Sequence, residues 1–235
     1  MKTTLHESST RGKADHGWLK SHHTFSFANY YNPNRMSFGA LRVLNDDKVD
    51  PAKGFGTHSH DNMEIVSIVL EGSLKHKDTM GNEYVIKAGE VQIMSAGTGV
   101  AHSEFNNSNE ADVSFLQIWI IPEKKGIEPQ YAQKDFSKLR KINKLQTLVS
   151  PYETDDSLLI HQDAYFSILE IETENTGLYK VNTDGNGVYV FVIEGDIEIA
   201  DQRLNTRDGL GIQETHQFEY KAHKDSKVLF IEVPL

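Results

Sequence analysis

IVSIVLEGSLKHKD, residues 65–78, reads as an apolar strand, a Glu-Gly pair and then a strand in which apolar and polar residues alternate. VYVFVIEGDIEIAD, residues 188–201, repeats that arrangement, with Gly195 at the place of Gly72. KAGEVQI (87–93) and RDGLGIQ (207–213) extend the match. A β unit met twice in one chain predicts two similar lobes, each a sheet rolled toward a barrel.

The segments around the repeat agree. LRVLND (41–46), EYVIKAG (83–89), EVQIMSAG (90–97), AHSEFNN (101–107) and VSFLQIWIIP (113–122) are rich in β-branched and aromatic residues and are punctuated by Gly, Asn and Asp. LLIHQD (158–163), YFSILEIE (165–172) and KVLFIEVPL (227–235) continue the pattern in the second half. Turn signals at this spacing point to sandwiches or barrels rather than βαβ units. Between residues 123 and 156 the composition turns polar, which marks a connection, and DFSKLRKINKL (135–145) suits a short helix. The expectation is an all-β chain of two domains packed face to face, 1–130 and 131–235.

The 235 residues include 38% hydrophobic and 25% charged residues, as in a globular protein, and are enough for two such domains. The net charge of −10 argues against a nucleic-acid partner, since phosphate binding needs a basic surface. With no cysteine, disulfides, thiolate metal sites and Cys nucleophiles are excluded. MKTTLHESSTRGK lacks an apolar run of signal-peptide length, and no segment has the length of a membrane span, so a cytoplasmic protein is expected. No P-loop, dinucleotide fingerprint or GxSxG elbow is present.

The chemistry lies next to the repeat. GFGTHSHDNMEIV (54–66) places His58 and His60 two residues apart, hence on one face of a strand, and Glu64 joins them if the strand continues. AGTGVAHSEFN (96–106) places His102 and Glu104 at the same spacing. If the two strands face each other inside a barrel, His58, His60, His102 and Glu104 converge on one point. Imidazole and carboxylate ligands suit Fe, Mn, Co, Ni, Cu or Zn. Glu64 is read as a fifth ligand or as an acceptor that fixes a histidine tautomer. The bland reading of a lone HxH is a pair of surface histidines, and the HxE some forty residues on is what weighs against it. Counting from Gly195 and Gly209 puts the second-lobe counterparts of His58, His60 and His102 at Val181, Thr183 and near Ala222, so no metal is expected there. His22 and His23 are read as structural, His161 as packed or hydrogen-bonded, and His6, His16 and His76 as exposed.

These motifs resemble those of the cupins and, among them, of the pirin family. GTHSHDNMEIVSIVLEG (56–72) is similar to the first cupin motif, AGTGVAHSEFN to the pirin form of the second, and WLKSHHTFSFANY (18–30) to the N-terminal signature of that family. The resemblance implies a bicupin whose N-terminal domain holds one divalent metal, iron(II) first, through His58, His60, His102 and Glu104. The C-terminal domain would be degenerate and metal-free. Seven residues separate Glu64 from Gly72 where the usual cupin motif has its glutamate six before the glycine, so the resemblance moves the carboxylate ligand to Glu104. It further implies a dioxygenase that cleaves quercetin or a related flavonol or enol with O2; Glu104, as a ligand within reach of a substrate at the metal, is then also read as the base. A monomer is expected, with no membrane association. The other function it implies is a metal-dependent redox sensor acting through a regulatory protein partner.

Overall fold

The computed structural model describes residues 1–235. The first half contains β1 (Lys2–His6), β2 (Gly12–Asp15), β3 (Leu19–His23), β4 (Leu41–Val49), β5 (Gly54–His60), β6 (Glu64–Glu71), β7 (Ser73–Asp78), β8 (Glu83–Lys87), β9 (Glu90–Ser95), β10 (Val100–Asn106), β11 (Val113–Ile120) and β12 (Gln130–Asp135). The second half contains β13 (Gln146–Ser150), β14 (Leu158–Leu159), β15 (Tyr165–Ile171), β16 (Thr176–Lys180), β17 (Asn186–Glu194), β18 (Asp196–Ile199), β19 (Gln202–Asn205), β20 (Gly209–Gln213), β21 (Gln217–Ala222) and β22 (Ser226–Pro234). One 3₁₀ turn, Ser8–Thr10, is the only helical element, and no helix is long and apolar enough to cross a membrane.

Each lobe pairs a seven-stranded sheet with a four-stranded one. The large sheets run β12-β9-β6-β11-β4-β3-β2 and β1-β20-β17-β22-β15-β13-β14, and the small sheets β5-β10-β7-β8 and β16-β21-β18-β19. Position by position the two orders correspond, save that β13 and β14 are parallel where β3 and β2 are antiparallel, so the duplication seen in the sequence is a duplication of topology. Gly72 and Gly195 sit at equivalent hairpin turns with φ of 74° and 110°. A Cβ there would lie 2.7 Å from the Asp112 carbonyl oxygen and 2.1 Å from Ser226 Oγ respectively, which explains why both positions are glycine.

The large sheets pack on each other. Alternate residues of their central strands, Val66, Ile68, Leu116 and Ile118 from one lobe and Phe166, Ile168, Phe191, Leu229 and Ile231 from the other, form one core of 25 buried residues. The remaining alternate residues face the interior of their own lobe.

The edge strands are exchanged relative to the order of the chain. β1 is the first strand, yet it pairs with β20 in the second lobe, with Lys2 opposite Gln213 and His6 opposite Gly209. β12 occupies the matching edge of the first lobe against β9. A cut at 130/131 therefore passes through β12, and residues 2–6 lie with the second lobe. His6, expected to be exposed, is half-buried there: its Nδ1 is 2.9 Å from the Tyr189 hydroxyl, and burial lowers its pKa to about 4. One local expectation also differs. Residues 136–145 form turns rather than a helix, and Asn143 adopts a left-handed φ of 61°. TFSFANY carries one bridge, Phe27 to Tyr30, because Ala28 at φ 49° breaks the extended path; the strand is Leu19–His23 just before it.

Candidate metal centre

β5 and β10 are antiparallel neighbours, with His102 opposite His58 and Val100 opposite His60. The three imidazoles His58, His60 and His102 meet with ring centroids 4.8, 4.5 and 4.9 Å apart. Their nitrogens lie within 4.8 Å of one another. His102 is buried, and its Nε2 has no hydrogen-bond partner. A buried nitrogen left unpaired is costly, and a cation shared with two further imidazoles is the partner that this donor set fits. Burial and then the neighbouring His58 lower His60 to about 4 and His102 to about 2, so both stay neutral and keep a lone pair for a metal at neutral pH. His58 Nδ1 lies 2.9 Å from the Gly56 carbonyl oxygen; donating there fixes the tautomer and leaves Nε2 as the free nitrogen.

Glu104 stands apart from this trio. A bulge between His102 and Glu104 shifts the register, so Glu104 lies opposite Phe55. Its carboxylate belongs to a second group with His102 and His76, all three buried. Gln117 Nε2 donates to Oε2 at 2.8 Å, and Ser67 Oγ approaches Oε1 at 3.4 Å. Burial, then the charge of Asp47, raises its pKa to about 7; a bound cation would pull it back down.

Glu64 does not join the trio. β5 ends at His60, Asn62 turns at φ 46°, and β6 starts at Glu64 on the face toward the second lobe. There Glu64 Oε2 accepts from Ser95 Oγ at 2.9 Å and from the His161 backbone N–H at 3.2 Å. Burial raises its pKa. His161, hydrogen-bonded as expected, has its Nδ1 3.2 Å from Ser95 Oγ. His23 is buried with Nδ1 2.9 Å from Asn45 Oδ1, in keeping with a structural role, and His22 is half-buried.

His76 corrects the expectation of an exposed residue: it is fully buried, with Nε2 3.1 Å from Asp78 Oδ2 and Nδ1 3.5 Å from His102 Nδ1. Its signal is in SLKHKD, where Leu74, His76 and Asp78 share the inward face and Lys75 and Lys77 the outward one.

One row of the first lobe's interior is polar across six strands of the large sheet. His23, Asn45, Gln117, Ser67, Gln92 and Gln133 are successive directly opposed residues on β3, β4, β11, β6, β9 and β12. The same row in the second lobe reads Thr147, Ser167, Phe230, Val190, Leu210 and Leu5. Register also places the counterparts of His58, His102 and Glu104 at Tyr179, Phe218 and Tyr220. Counting residues had put the first two at Val181 and near Ala222; the strand pairing moves them by two and four positions. Tyr179 and Phe218 stack at 5.2 Å and 13°, and Tyr179 stacks on Phe230 at 5.0 Å. Aromatic rings fill the volume that the histidines surround in the first lobe.

Both halves of the chain match known protein families. A family model described as Pirin matches residues 4–120, and one described as the quercetinase C-terminal cupin domain matches 147–233. The chain is 43% identical over 230 residues to quercetin 2,3-dioxygenase of Escherichia coli K12, covering 98% of each. It is 41% identical to a pirin-like protein of Caulobacter vibrioides, over 94% of this chain and 95% of that one. The crystal structure of the bacterial pirin YhhW from E. coli in complex with nickel(II) superimposes with a TM-score of 0.94 at 42% identity, covering 99% of both chains.

Proposed function

The chain belongs to the pirin family, and we propose that it is a metal-dependent dioxygenase that opens a flavonol such as quercetin, or a related enol, with dioxygen. The observation that carries this is the meeting of three imidazoles around the unpaired Nε2 of His102. His58, His60 and His102 would hold one divalent metal, and Glu104, apart from the trio but with a carboxylate oxygen within 4.8 Å of a His102 nitrogen, would be the fourth protein ligand. Iron(II) is the native metal in this reading, and the nickel complex of a relative fits a donor set that accepts several divalent ions. Such a metal supplies Lewis acidity and one-electron redox chemistry.

The chain's own groups do the rest. The Gly56 carbonyl orients His58. Trp119 stands edge-on to His60 at 4.9 Å and Phe27 edge-on to Trp119 at 5.4 Å, an apolar wall suited to a flat aromatic substrate. Glu104, held by Gln117, takes the proton that a substrate hydroxyl gives up on binding. The second lobe, with aromatic rings at the corresponding position, works without metal and covers the back of the first lobe's sheet.

The test is direct. Metal-loaded protein is given quercetin while O2 uptake and carbon monoxide release are followed. Turnover that disappears in a His58→Ala/His60→Ala double variant supports the reading. Turnover equal in both proteins overturns it.

A further inference from the structure

His76 and Asp78 reach none of the atoms around which His58, His60 and His102 meet, yet both side chains are fully buried at 0% exposure. One contact, from His76 Nδ1 to His102 Nδ1, joins them to the trio, and the others hold the pair in place. Asp78 Oδ1 accepts from the backbone N–H groups of Met80 at 2.9 Å and Asn82 at 3.0 Å, and Oδ2 accepts from Asn82 Nδ2 at 2.9 Å. These fix the carboxylate. Asp78 Oδ2 also lies 3.1 Å from His76 Nε2, which must therefore carry its proton there. A neutral His76 that donates from Nε2 has a lone pair on Nδ1. That lone pair faces His102 Nδ1 at 3.5 Å, the outer limit of a hydrogen bond. Two lone pairs would repel, so His102 carries its proton on Nδ1 and its free pair on Nε2, the nitrogen that has no partner in the protein. Tyr131 covers the His76 ring at 4.8 Å and Tyr84 stacks on Tyr131 at 5.3 Å, which keeps water from supplying a competing proton.

We propose that Asp78 and His76 are positioning residues that set the tautomer of His102 and so aim its Nε2 at the metal. This deepens the metal reading above and rests on it. Outer hydrogen-bond partners of this kind are typically worth about 10- to 100-fold in metal affinity.

Asp78→Asn is the sharpest test. The Met80 and Asn82 N–H groups hold the amide oxygen at the Oδ1 position, which turns the NH₂ toward His76 Nε2. His76 must then move its proton to Nδ1, and His102 must move its own to Nε2, without loss of either ring. Nickel(II) affinity is measured by competition with a chelator for wild type, Asp78→Asn, His76→Phe and His58→Ala/His60→Ala. A 10- to 100-fold loss in the first two variants is expected, with near-complete loss in the double variant. In the nickel-loaded protein, NMR should also show a strongly shifted, slowly exchanging N–H resonance from His102 Nδ1, which exchanges rapidly in His76→Phe. A merely structural role would leave that signal in place. If His76→Phe fails to fold, Asp78→Asn decides alone. Wild-type affinity in Asp78→Asn, with loss in the double variant, overturns this proposal and leaves the metal reading intact. Undiminished nickel binding in the double variant overturns both.

Discussion

Gln117 and Glu104 bridge the two sheets of the first lobe: Gln117 Nε2, on the large sheet, donates to Glu104 Oε2, on the small one, at 2.8 Å. It is the shorter of the two hydrogen bonds that hold this buried carboxyl. Replacing the donor by an apolar side chain leaves Glu104 with the long Ser67 contact alone. Gln117→Leu is therefore expected to lower stability by about 1–3 kcal/mol, as found when a buried acceptor loses its partner. Urea unfolding of the metal-free protein checks this, and a variant as stable as wild type would rule it out.

Asp47 is buried, and desolvation raises its pKa to about 7 against an unfolded value of 3.8. The folded protein thus binds a proton more tightly here than the unfolded chain does. The stability that Asp47 contributes is full below about pH 4 and is lost as pH rises through about 7. Asp47→Asn removes that dependence. The variant should gain on wild type between pH 5 and about 7 and level off above that, by at most about 3 kcal/mol across the roughly two pH units of that window. Parallel unfolding curves at pH 5, 6, 7 and 8 read the gap, and a constant gap would refute the assignment.

Glu64 belongs to the joint between lobes. Glu64→Ala leaves Ser95 Oγ and the His161 N–H without their acceptor. A loss of about 1–3 kcal/mol in stability is expected, with metal content per chain unchanged. Elemental analysis beside thermal unfolding separates these outcomes; a drop in bound metal would return Glu64 to the ligand set.

Removal of residues 1–6 takes β1 away and uncovers the edge of β20. Amide exchange should quicken in residues 209–213 of the second lobe and stay unchanged in residues 90–95 of the first, where β12 still covers β9. Equal protection in both edges would contradict the exchanged arrangement.

The features that were legible in the sequence are those carried by a two-residue period within one strand. His58 with His60, and His102 with Glu104, could be paired because each couple lies on a single strand. Between strands the period gives no information. Glu64 shares the parity of His60, but the left-handed turn at Asn62 resets the face. Glu104 lies on the inward face as expected, but the bulge after His102 draws it from the trio toward Gln117. His76 was hidden by its flanking lysines, which are exposed while His76 is not. The exchange of β1 and β12 leaves no local trace, since an edge strand has the same composition whichever lobe it completes.

That exchange also sets an order of events during synthesis. Lys2 is opposite Gln213, so β1 has no partner until β20, far along the chain, has been made. The first lobe needs nothing beyond Asp135 to complete its large sheet. It can close around its histidines while β1 waits, unpaired, for β20. Contacts of such long range are slow to form. The half that carries the three histidines can therefore pair its strands before the half that backs it exists.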